Sequence, residues 1–104
     1  MVIRDIVFVP SAQRRLRKIY DYIHYNQSQQ KAETFREGIY DKADLLMGNA
    51  GAGIGQEEPN FKHLNLGHRY LRFGKYKIIY RVFKDIAYVT DIFHTSQDPN
   101  DMQA

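Results

Sequence analysis

Between Arg69 and Lys84 the chain reads RYLRFGKYKIIYRVFK, sixteen residues with six cations, five aromatic rings and no acid. Widening the window to Lys62–Lys84 gives seven Lys or Arg and two His, and all twelve Asp and Glu lie outside it. Arginine and lysine beside aromatic rings suit phosphate contact with base stacking. The same mixture suits an acidic or amphipathic peptide laid across a sheet. Lysines that blunt a solvated sheet edge are the plain structural alternative. Metal chemistry has little to work with. There is no cysteine, and His24, His63, His68 and His94 lack the His-Glu-x-x-His spacing. No Ser-His-Asp or Cys-His arrangement is legible, and no cofactor is expected.

The elements that must position these residues follow from periodicity. Residues 2–9 (VIRDIVFV) are β-branched and aromatic and stop at Pro10, which reads as a strand. Ser11 offers an N-cap, and Ala12, Leu16, Ile19, Tyr20 and Ile23 follow at helical spacing. Arg14, Arg15, Arg17 and Lys18 fall largely off that stripe, as a solvated face does. Ser28 caps a second helix whose apolar positions are Ala32, Phe35, Ile39, Ala43 and Leu46. Two helices joined by a short break pack as a hairpin. Residues 48–60 (GNAGAGIGQEEPN) read as a flexible, glycine-rich connector. Their GAGIG follows a helix and runs towards Pro59, the wrong context for a dinucleotide fingerprint. Residues 63–66 suggest a short strand or irregular approach, and residues 69–73, 76–83 and 86–94 are strands. Gly74-Lys75 and Lys84-Asp85 are the turns between them, and residues 95–104 form a short polar tail. The order β-α-α-β-β-β implies a single α+β domain over residues 1–104, a helical hairpin on a largely antiparallel sheet.

Alternation assigns the faces. A two-residue loop at Lys84-Asp85 pairs Phe83 with Ile86, so Arg81 lies opposite Tyr88, Ile79 opposite Thr90 and Lys77 opposite Ile92. One face is then apolar and carries the helices. The other shows Lys77, Arg81, Tyr88 and Thr90, with His94 at the strand end, and Asp91 points the opposite way. Pairing of Lys77 and Arg81 with Asp91 or with helix acids is the competing arrangement.

With these residues in place, the chain resembles the RelE/ParE superfamily of toxins from type II toxin–antitoxin pairs. The first helix carries Leu16, Ile19, Tyr22 and Ile23, and the second carries Ala32 and Phe35. RYLRFGKYKIIYRV matches the family's arginine, glycine-x-tyrosine-x-isoleucine-x-tyrosine-arginine pattern, and DIFHTSQDP matches its histidine-x-arginine-x-aspartate-proline ending except at Ser96. The resemblance implies a toxin neutralised by a cognate antitoxin (the plasmid-stabilisation type). It implies either poisoning of DNA gyrase, as in the ParE branch, or cleavage of mRNA in the ribosome, as in the RelE branch. A nuclease reading places catalysis on Lys77, Arg81 and His94, the last as an acid or base. A binding reading uses Arg69, Arg72, Lys77, Arg81, Tyr88 and His94 for the target or the antitoxin. Ser96 stands where an arginine usually follows the histidine, and Asn100, Asp101 and Met102 stand where the nuclease branch has a late tyrosine. That departure favours the ParE-like reading. A non-toxic nucleic-acid-binding module is the remaining alternative. Net charge is +3, the chain lacks an apolar run of roughly 20 residues, and no signal-peptide layout opens it, so a cytoplasmic protein without membrane association is expected.

Overall fold

The computed structural model describes residues 2–48 and 53–104. Part of the GAGIG stretch therefore lies outside the described residues. The element order is β1 (Asp5–Phe8), α1 (Pro10–Asn26), α2 (Gln29–Asp44), β2 (Gln56–Glu57), β3 (Arg69–Phe73), β4 (Tyr76–Phe83) and β5 (Ile86–His94). Two 3-10 turns, Pro59–Leu64 and Pro99–Asp101, complete it. The sheet order is β1-β5-β4-β3-β2, with β1 parallel to β5 and every other pairing antiparallel. This is the expected α+β architecture, a helical hairpin on a mostly antiparallel sheet, with β2 as an extra two-residue edge.

The helices form where the 3.6-residue stripe runs. Ala12 and Leu16 of α1 and Ile39 of α2 pack in one core with Ile78, Tyr80, Val89 and Ile92 of the sheet, and Ala32 and Ala43 of α2 are buried as well. Burying a side chain such as Leu16 or Ile39 contributes about 2 kcal/mol. Ser28 caps α2 as expected, its hydroxyl accepting from the Lys31 amide at 3.1 Å. The expected cap of α1 is corrected. Pro10 takes the first helical turn, Val9 is the N-cap, and the Ser11 hydroxyl donates instead to the Thr90 carbonyl at 3.1 Å. A proline at the helix start removes one of the unpaired N–H groups that a cap would otherwise serve.

A second apolar cluster sits on the opposite face of the sheet. Phe61, Ile79, Phe93 and Met102 are buried together, with Tyr70 packed against them. The 3-10 turn Pro59–Leu64 and the chain end supply its cover. Two readings change here. Pro59–Leu64, spanning the end of the expected connector and the start of the expected short strand or irregular approach, is a 3-10 turn, and its Phe61 is buried on the sheet. The tail expected to be merely polar docks. Met102 is 6% exposed, the Gln103 amide donates to the Asp91 carboxylate at 2.9 Å, and the Thr90 hydroxyl donates to the Gln103 carbonyl at 3.0 Å. Met102 anchors the tail by packing with Phe61, Ile79 and Phe93, and the Thr90 and Asp91 side chains hold Gln103 beside it.

Candidate functional site

The β4–β5 hairpin begins in the expected register, with Phe83 opposite Ile86, Arg81 opposite Tyr88 and Tyr80 opposite Val89. A β-bulge then intervenes. Ile79 pairs with Asp91, Lys77 with Phe93 and Tyr76 with His94, leaving Thr90 without a cross-strand partner. One extra residue reverses the phase of everything beyond it. The expected pairs Ile79–Thr90 and Lys77–Ile92 are therefore corrected. So is the placement of His94, which lies with Tyr76 on the helix-facing side, their rings 4.9 Å apart and perpendicular. Lys77 and Arg81 stay on the side away from the helices.

That side gathers four of the singled-out residues. Arg72 lies opposite Lys77, and Arg81 lies opposite Tyr88 with its guanidinium carbon 5.8 Å from the ring centre. The expectation that Lys77 is an open cation is corrected. Its ammonium is 2.9 Å from the Glu58 carboxylate and 4.4 Å from the Tyr70 ring centre. Glu58 is fully buried, and its other oxygen accepts from the Asn60 amide at 3.1 Å and the Asn60 side chain at 3.0 Å. An ion pair so enclosed engages Lys77 from within the fold and does not leave it open to solvent. Arg69 departs from the group as well. It pairs with Tyr80, shares the face of Leu71, and donates to the Gly55 carbonyl at 2.6 Å. It anchors the edge strand.

The competing pairing of Lys77 and Arg81 with Asp91 is not what forms. Arg15 of α1 is the cation on Asp91, at 3.4 Å, and Asp91 is fully buried. Burial pushes the Asp91 carboxyl above the ordinary carboxylate range, outweighing hydrogen bonds from Gln103 and Ile92 and the charge of Arg15.

His94 opens onto a cleft of about 370 Å³ lined by Arg15, Lys18, Ile19, Tyr22, Tyr76, His94, Ser96 and Gln97. Two cations and three rings meet there without an acid. The Ser96 amide donates to His94 Nδ1 at 3.1 Å, with the Ser96 hydroxyl 2.7 Å from the same atom. A backbone N–H can only donate, so Nδ1 is assigned as the acceptor and the neutral ring carries its proton on Nε2. Gln97 closes the turn, accepting from the His94 amide at 3.2 Å and from Arg15 at 3.3 Å. Burial, with Tyr22 second, raises the Tyr76 phenol above its ordinary value, so it stays a neutral donor. Tyr22 is 65% exposed.

Sequence reasoning gave no site role to Glu58 or His68, beside the strap, or to Tyr76, beside His94. Glu58-Pro59-Asn60 carried a legible signal, an acid placed to cap a turn that starts with proline. Nothing local marked Glu58 as the partner of Lys77. Among the described residues no group of three or more metal-capable side chains occurs, and no helix is long and apolar enough to cross a membrane.

A five-stranded sheet carries a helical hairpin on one face, with a basic–aromatic surface on either side of its last hairpin, which defines an α+β fold. The family model described as "ParE toxin of type II toxin-antitoxin system, parDE" matches residues 6–99. The chain belongs to that family. A solved structure titled "Chromosomal ParDE TA system from P. aeruginosa" is similar in fold, with a TM-score of 0.74 and 20% identity over 90% of this chain and 98% of that one. No curated protein sequence matches the chain.

Proposed function

We propose that this member of the ParE family is a toxin that acts by binding a protein target, DNA gyrase being the first to test, and that a cognate antitoxin neutralises it in the cytoplasm. One observation carries the reading. The residues that RNA cleavage would need are divided by the sheet, Lys77 and Arg81 on one face and His94 on the other, with Lys77 already engaged by Glu58. General acid–base chemistry requires its groups within hydrogen-bond reach of one phosphate, and this arrangement does not bring them there. What remains is surface. The cleft formed by Lys18, Tyr22, Tyr76 and His94 is cationic at its rim and aromatic within, which suits an acidic segment carrying apolar anchors.

Purified protein incubated with gyrase, DNA and ATP tests the target. Accumulation of cleaved DNA complexes is expected, and unaltered supercoiling at excess toxin would reject it. A Lys18→Glu/Tyr22→Ala variant is expected to weaken antitoxin or target binding at least about tenfold, from loss of a charge and an aromatic anchor. Toeprinting on translating ribosomes is expected to show no new mRNA ends.

A further inference from the structure

Residues 58–67 cross the helix-free face of the sheet as a strap. Glu58 clasps Lys77 at 2.9 Å, Phe61 is buried against Ile79, Phe93 and Met102, and the Glu58 amide donates to the His68 carbonyl at 2.9 Å. The far end turns through two left-handed residues, Asn65 (φ 55°) and Gly67 (φ 75°). At the foot of the strap His68 is 2% exposed, its ring 4.9 Å from Phe61, and neither ring nitrogen has a hydrogen-bond partner among the described residues. We infer that the strap is a proton-sensitive lid, and that protonating His68 raises the population of open states that uncover the Lys77 side of the sheet.

The argument rests on what surrounds the imidazole. Arg81 of β4 faces it as a cation, and Glu58 of the strap as an anion. Glu57 of β2, Lys62 of the 3-10 turn and Arg69 of β3 line the cleft beside it. Glu58 is the group able to stabilise an imidazolium, yet its two oxygens are committed to Lys77 and Asn60. A buried neutral ring with unmet hydrogen bonds is tolerable, whereas a buried cation beside Arg81 is much less so. Burial first, and Arg81 second, therefore hold His68 below its ordinary value, with Glu58 opposing.

The sign follows. A histidine whose value in the closed state is lowered binds its proton more readily when the strap is open. The closed strap is then fully stable above the ordinary histidine range and loses stability as pH falls below about 6.5. One proton shifts the opening equilibrium by at most about tenfold per pH unit. Once open, Glu58 leaves the position it holds on Lys77, and Tyr70 and Lys77 become reachable alongside Arg72 and the already half-exposed Arg81. This device is independent of which target the protein binds.

Hydrogen exchange on the full chain between about pH 5 and 7.5, corrected for intrinsic exchange, tests the lid. In the native sequence, peptides spanning residues 58–67 are expected to lose protection as pH falls below about 6.5, by up to about tenfold per unit, while β4 and β5 keep theirs. In His68→Phe, which keeps an aromatic ring without a proton to gain, that dependence should vanish. Should that variant misfold, His68→Gln makes the same comparison. Flat strap protection in the native chain, an unchanged pH dependence in the variant, or simultaneous loss of protection over the whole sheet would each overturn the inference.

Discussion

Replacing Lys77 by methionine removes the ammonium from the buried Glu58 carboxylate while keeping an apolar stem against Tyr70. At 2.9 Å the attraction within the pair is about 6 kcal/mol for an effective dielectric of 20, and desolvation of both ions offsets much of it. The variant keeps one ion's share of that desolvation and loses the attraction. Breaking a buried pair in this way costs about 3–5 kcal/mol. Lys77 retains 18% side-chain exposure, and two Asn60 donors remain on the carboxylate, so the lower end applies, about 3 kcal/mol. Urea unfolding should show a lower midpoint with an unchanged slope, and the thermal midpoint should drop by roughly 15 °C. Adding Glu58→Gln makes the buried group neutral, and the double variant is expected to regain most of the loss. A Lys77→Met protein within about 1 kcal/mol of the native one would refute the reasoning, because Glu58 would then have found solvent or another partner. So would a double variant no more stable than the single one.

The buried Tyr80 hydroxyl accepts from the Gly55 amide at 3.1 Å, so Tyr80→Phe should destabilise by about 1–3 kcal/mol in thermal unfolding by leaving a buried N–H unmet. Asp91 contributes in the direction opposite to an exposed carboxylate. Its value is raised in the fold, so its contribution is complete below the ordinary carboxylate range and is lost as pH rises through the raised value. Urea midpoints of the native chain measured against Asp91→Asn should therefore fall with rising pH above about 4, and a constant difference would contradict this. Lys84 holds a left-handed φ of 57° in the β4–β5 turn, and Lys84→Gly should raise the unfolding midpoint, with relief of about 1 kcal/mol partly offset by the freer unfolded chain.

Local pattern alone determined the two helices, β1, the three long strands β3–β5 and the turns between those three. Ala12, Leu16, Ile39 and Leu46 repeat at a helical period, Ile78, Tyr80 and Val82 at a strand period, and Ser28 and Gly74 mark the ends. Those signals lie within a few residues of the atoms they position. The toxin-family motifs were legible for the same reason, being spaced along contiguous elements. Three features of the site needed the tertiary structure. The bulge at Thr90 moved His94 to the helix side, and no composition signal distinguishes a strand with one extra residue from a regular one. Glu58 reached Lys77 across 19 residues of sequence because the Phe61 anchor folds the strap onto the sheet. The tail reached Asp91 through Met102, which packs beside Phe93 in the cluster on the helix-free face. Alternation tells which side chains share a face only while the register holds. Register, and the partner that neutralises a buried charge, are properties of segments meeting in space.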